Sequence, residues 1–163
     1  MFLQFNQTKL KVTELFFDRA HVVNELDKTT RRVLSRFGAY VRNSAKWSIR
    51  TKDGPSPPGQ PPHSHTGLLR KFIFFYYERM NQNVVIGPTL LPWTRQAPRP
   101  TVPEVLEYGG RTTRQYWSKK DKRGRRKLKT KEIFIRPRPY MHPAFEKQET
   151  KLPAMWRDAL SRN

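Results

Sequence analysis

Two pairs of side chains have the type and spacing from which chemistry can be built: Glu104 with Glu107, and His63 with His65. Acids three apart share one face of a helix, where one can act as acid and the other as base. Their setting, Pro103-Glu104-Val105-Leu106-Glu107-Tyr108-Gly109, predicts instead surface acids of a short helix that favour its positive end. The His-x-His pair has the spacing of two metal ligands, but a zinc site needs three or four on a defined scaffold, and this pair falls in a proline-rich stretch without an obvious third. Solvated loop histidines are expected. Cysteine is absent, which removes thiolate nucleophiles, disulfides and Cys-based metal sites. The 13 acids are scattered, a poor basis for the converging carboxylates of a metal-dependent nuclease. Gly109-Gly110 is not followed by the Gly-Lys-Ser or Gly-Lys-Thr of a phosphate loop. What remains is binding and assembly, with no cofactor or metal expected.

Charge is the strongest signal. The chain of 163 residues carries 33 Lys and Arg against 13 Asp and Glu, a formal charge of +20. Half of it is concentrated between residues 111 and 131, where Arg111, Arg114, Lys119, Lys120, Lys122, Arg123, Arg125, Arg126, Lys127, Lys129 and Lys131 face one acid, Asp121. Such density calls for a polyanion or an acidic protein surface. The flanking Tyr116 and Trp117 supply rings that can stack on bases or ribose. A solvated tip with no ligand is the plainer reading of any charge run.

The elements that must carry these residues follow from period and punctuation. From Asp18, a candidate N-cap, to about Arg50 the apolar residues Val22, Val23, Leu26, Val33, Leu34, Phe37, Val41 and Ala45 recur at helical spacing, with Gly38 tolerated inside. At about 1.5 Å per residue this helix reaches roughly 45 to 50 Å, longer than so small a core needs; an ordinary amphipathic helix covering a sheet is the plainer reading, and packing of part of it on a neighbour is the alternative. Residues 54–65 form a proline-rich loop. After it, 72–79 and 84–86 read as an antiparallel pair closed by Gly87-Pro88. Pro103 opens a short helix that Gly109 stops. Residues 111–118 and 128–135 are the arms of a projecting basic hairpin, 111–135. Pro143 opens a last helix, which Pro153 kinks or restarts, with Leu152, Met155, Trp156 and Leu160 as its apolar face. The expectation is one α+β domain over 1–163: a long N-terminal helix packed on an antiparallel sheet of about four strands, the hairpin and a C-terminal helix. The longest apolar stretch, 72–77, is too short to span a bilayer and the start lacks a signal-peptide pattern, predicting a soluble, non-secreted protein without membrane contact.

The order of the turn and strand signals resembles a known family. Pro58-Gly59-Gln60-Pro61-Pro62, His65-Thr66-Gly67-Leu68-Leu69-Arg70, Val84-Val85-Ile86-Gly87-Pro88, Val105-Leu106-Glu107-Tyr108-Gly109 and Arg138-Pro139-Tyr140-Met141-His142-Pro143-Ala144-Phe145 fall in the sequence seen in small neck proteins of long-tailed bacteriophages, the tail-completion, head-tail joining or minor tail proteins. The resemblance covers roughly residues 15 to 160. It marks Gly59, Thr66, Gly67, Leu69, Arg70, Gly87, Glu107, Tyr108, Gly109, Pro139, Pro143 and Ala144 as positions that fix a scaffold.

What the resemblance implies is a non-enzymatic virion protein, assembled in the host cytoplasm and placed in the head-tail neck. There it would form a homo-oligomeric ring of six or twelve copies between other neck proteins and the tail tube or terminator, with genomic DNA in the lumen. The hairpin is longer and more basic than that family's loop. A lumen through which DNA slides is better neutral or acidic, so the sign favours a static or docking role. The rival expectation is a stand-alone nucleic-acid-binding protein that uses the hairpin.

Overall fold

The computed structural model describes residues 19–89, 100–120 and 124–161. The proposed cap Asp18 and the hairpin-tip residues Asp121, Lys122 and Arg123 lie outside them. The protein is α+β, with five helices and four strands among the described residues.

Helix α1 runs Arg19–Ser48. Thr29, Thr30, Val33, Phe37, Val41 and Ala45 form its buried stripe, spaced so that one face meets the rest of the molecule. Against it lie Ile49, Ile73, Tyr140, Ala144 and Met155, which complete the small core. Phe37 and Phe145 meet edge to face, with ring centroids 5.7 Å apart. The stripe's N-terminal continuation is left open among the described residues: Val22 and Val23 are each 46% exposed, and Leu26 is exposed as well. Among the described residues, the N-terminal part of the helix thus extends beyond the core.

Gly67, at φ 69°, starts the one-turn helix α2 (Leu68–Lys71), and Thr66 Oγ1 accepts the Leu68 N–H at 3.4 Å. Strands β1 (Ile73–Glu78) and β2 (Asn83–Pro88) then pair antiparallel, Phe75 opposite Ile86 and Phe74 opposite Gly87. This ribbon lies on α1. Arg42 Nε donates to the Ile73 carbonyl at 3.0 Å, and Gln82 Nε2 in the turn donates to Asp27 Oδ1 at 2.7 Å. Gly38 is more than tolerated here. A Cβ on it would stand 2.8 Å from Val84 Cγ2 and 2.9 Å from Phe75 Cδ2, so its missing side chain sets how closely helix and ribbon approach.

The second pair, β3 (Gly110–Trp117) and β4 (Leu128–Ile135), forms its own antiparallel two-stranded sheet. The four strands thus divide into two ribbons. Helix α3 (Val102–Tyr108) precedes β3. Helices α4 (Met141–Glu149) and α5 (Leu152–Leu160) close the chain, with Pro153 in the first turn of α5, where its missing N–H costs no helical bond. Of the final apolar face, Met155 is buried, Leu152 and Trp156 pack on the core, and Leu160 is exposed. Among the described residues, no helix is long and apolar enough to cross a membrane.

Candidate functional site

The basic hairpin is the β3–β4 ribbon, and its register sorts the side chains into two unlike faces. Directly opposed residues share a face and successive residues alternate. One face carries the rows Thr112/Ile133, Arg114/Lys131 and Tyr116/Lys129. The other carries Arg111/Phe134, Thr113/Glu132, Gln115/Thr130 and Trp117/Leu128.

The first face is cationic. Near its base Thr112, Ile133 and Ile135 are half-buried. Farther out, Arg114, Lys129 and Lys131 surround Tyr116, and no acidic side chain shares their rows. Arg114 stands directly opposite Lys131, a like-charge pairing that disfavours the ribbon by a few tenths of a kcal/mol or more. Lys119, Lys120, Arg125, Arg126 and Lys127 extend the positive charge toward the tip, all exposed.

The second face is near neutral and apolar. Trp117 is 63% and Phe134 68% exposed, with Leu128 beside Trp117. Arg111 belongs to this face, and its guanidinium lies 3.9 Å from Glu132. Strand alternation therefore separates Tyr116 from Trp117: the two rings read together as stacking partners project to opposite sides.

The ribbon's base is held by contacts of Gly59, Gly109 and Arg138 with Ser56, Leu106 and Pro137. Gly109 adopts φ 74°, and a Cβ there would meet Pro137 Cδ at 2.9 Å. Gly59 donates its N–H to the Pro137 carbonyl at 2.9 Å. Arg138 donates its backbone N–H to the Leu106 carbonyl at 2.6 Å and its Nε to the Ser56 carbonyl at 2.8 Å. The proline loop, the end of α3 and the exit from β4 are thereby joined.

Glu107 is the surprise of this region. Its carboxylate accepts three consecutive backbone N–H groups at the start of α4: Tyr140 at 3.0 Å, Met141 at 3.1 Å and His142 at 2.8 Å. The first N–H groups of a helix have no partner within it, and α4 has no side-chain cap of its own at Tyr140. Glu107 supplies one from α3, favoured by the dipole. The expectation of a surface acid is corrected for this residue. Glu104 closes a capping box, accepting the Thr101 N–H at 2.7 Å and its hydroxyl at 2.9 Å. Both carboxylates are thus committed to backbone structure.

Of the other resemblance positions, Gly87 and Tyr108 line a cleft of about 300 Å³ with Glu107 and Tyr140, while Pro139 leads into α4. Pro143 sits in the first turn of α4 and Ala144 is buried beneath it. Thr66, Gly67, Leu69 and Arg70 belong to the separate α2 corner, where Leu69 packs on the core and the Arg70 guanidinium lies 5.4 Å from the Trp47 ring centroid. His63 Nδ1 lies 3.2 Å from the Gly54 carbonyl and His65 Nδ1 3.4 Å from Asp53, contacts that close the proline loop. Among the described residues, no group of three or more His, Cys, Asp or Glu is placed to hold a metal ion. Compared with family models, curated proteins and solved structures, the chain matches none.

Proposed function

We propose that the chain is a non-enzymatic structural protein of the phage head-tail neck, completing the tail and joining it to the head as a homo-oligomeric ring of six or twelve copies. The observation that carries this reading is the two-faced ribbon on a rigid base. A lone two-stranded ribbon is marginal in water, and one that exposes Trp117, Leu128 and Phe134 on a side away from the core gains its stability from a partner. The exposed Val22, Val23 and Leu26 on α1 give a second surface suited to a neighbouring copy. Ring subunits need two complementary surfaces of this kind. The cationic face is then left for genomic DNA held in the lumen or for an acidic neck or tail neighbour.

The base is built for position rather than turnover. Residues of the ordered motifs, Gly59, Glu107, Gly109 and Arg138, serve to orient the ribbon relative to α4. Electron microscopy of particles made without this protein tests the proposal: heads and tails left unjoined, or tails with altered ends, are expected. Complete infectious particles would refute it. The segregated charge of Arg114, Lys129 and Lys131 favours one further reading, a stand-alone nucleic-acid-binding protein. Tight, salt-sensitive DNA binding by an isolated chain with no place in a particle would establish that reading instead.

A further inference from the structure

A groove of about 580 Å³ runs between α1 and α4, on a different part of the molecule from the ribbon. Tyr40 and Trp47 form its aromatic rim on α1, and Pro61, Pro143 and the buried Tyr140 and Ala144 give it apolar surface. Asn43, Ser44, Ser48 and Gln148 add hydrogen-bonding groups, and Lys147 and Lys151 stand along the opposite side. Trp47 is 76% exposed, an unusual state for the largest side chain on a face beside the core.

The groove is electrostatically one-sided. None of its lining residues is acidic. The Arg36 guanidinium lies 5.6 Å from the Tyr40 ring centroid and that of Arg70 5.4 Å from Trp47, so two guanidiniums border the aromatic rings while the two lysines line the groove. On α4, Glu146 is engaged with His142 at 3.2 Å. Lys46, one residue from Trp47, is held below the ordinary lysine range by desolvation first and by Arg42 and Arg70 second.

We infer that this groove binds an extended acidic segment of a partner protein, with apolar or proline residues on Trp47 and Tyr40 and carboxylates on Lys147 and Lys151. Lys147 lies in α4 and Lys151 in the turn that leads into α5, so the two lysines line the groove from either side of the helix junction. A segment that carries several carboxylates can meet both at once. The polar groups from Asn43 to Gln148 suit a peptide backbone, which needs donors and acceptors along its length. Aromatic-lined grooves that take proline-containing extended peptides are a recurrent solution, since such peptides lose little entropy on docking.

The test uses the full chain and a fluorescein-labelled peptide of four Pro-Glu repeats, read by fluorescence anisotropy at about 0.15 M salt, where weak surface attraction is screened. Saturable binding is expected, with no binding by the matching Pro-Gln peptide. Lys147→Gln with Lys151→Gln should weaken it about tenfold or more, as should Trp47→Ala. Arg157→Gln, which removes an exposed cation outside both the groove and the ribbon, should bind as the parent does. Because Trp47 and both lysines are exposed, thermal melts should match across the set. Absence of saturable Pro-Glu binding would overturn the inference. So would equal affinity in the groove variants, or a labelled dT12 that binds more tightly and depends on Trp47.

Discussion

The carboxylate of Glu107 accepts the backbone N–H of His142, 35 residues later in the chain, at 2.8 Å. With the Tyr140 and Met141 N–H groups on its other oxygen, one side chain on α3 caps the N-terminus of α4. Charge-assisted hydrogen bonds of this kind are about twice as strong as neutral ones, and removing the acceptor leaves partly buried donors without a partner. Glu107→Ala should destabilise the protein by about 2–3 kcal/mol in urea denaturation. Glu107→Gln, which keeps one acceptor oxygen, should lose less. An alanine variant within about 0.5 kcal/mol of the parent would mean that the cap contributes little.

Gly38 and Gly109 test close approach in two different ways. Alanine normally favours a helix over glycine by about 1 kcal/mol, yet at Gly38 its Cβ would press on stiff groups, Val84 Cγ2 and the Phe75 ring. Gly38→Ala is therefore expected to lose about 1–2 kcal/mol net, as overpacked sites do. At Gly109 positive φ and the contact with Pro137 act together, so Gly109→Ala should lose at least about 2 kcal/mol. Denaturant midpoints measured on both variants decide this; a stabilised Gly38→Ala protein would show that α1 and the first ribbon separate easily.

The sequence makes local elements readable and leaves their partners hidden. The period of Val33, Phe37, Val41 and Ala45 identifies α1 and its buried side, but the same period includes Val22, Val23 and Leu26, which the core does not reach. Four strands are legible from turns and β-branched or aromatic runs. Their division into two ribbons is a non-local choice that no short segment records. Alternation along β3 is a local property, and it already implies that Tyr116 and Trp117 part company. The cap by Glu107 left one clue: a helix starting at Pro139-Tyr140-Met141 has no Ser, Thr, Asp or Asn to cap it, so an acceptor has to come from elsewhere. Which acid answers depends on the tertiary fold.

Tyr140 gives the protein an alkaline limit. Burial pushes its phenol well above the ordinary value of 10.0, with the Glu107 carboxylate adding to the effect. The unfolded chain therefore loses this proton first as pH rises. The contribution is fully present below the unfolded pKa and falls away above it, by about 1.4 kcal/mol per pH unit, until the folded phenol titrates as well. Tyr140→Phe has no proton to lose. Unfolding free energies of the two proteins should run parallel from pH 7 to about 9, and above about pH 10 the parent should decline more steeply. Parallel curves up to pH 11 would contradict the assigned direction.

The two faces of the β3–β4 ribbon should separate by experiment as they do in the register. Neutralising Arg114, Lys129 and Lys131 with glutamine removes charge from one face alone, and it also relieves the Arg114/Lys131 opposition. Binding to a DNA duplex should weaken, with the slope of log affinity against log salt reduced by up to about 3, one for each phosphate no longer neutralised. Thermal stability should hold or rise slightly. Replacing Trp117, Leu128 and Phe134 with serine acts on the opposite face, where Arg111 is already paired with Glu132. DNA affinity and its salt slope should then stay near the parent values, while self-association or docking into particles, followed by light scattering and electron microscopy, should be lost. If the serine variant loses DNA binding and keeps its assembly, the roles assigned to the faces are reversed and the proposed arrangement of the ring is wrong.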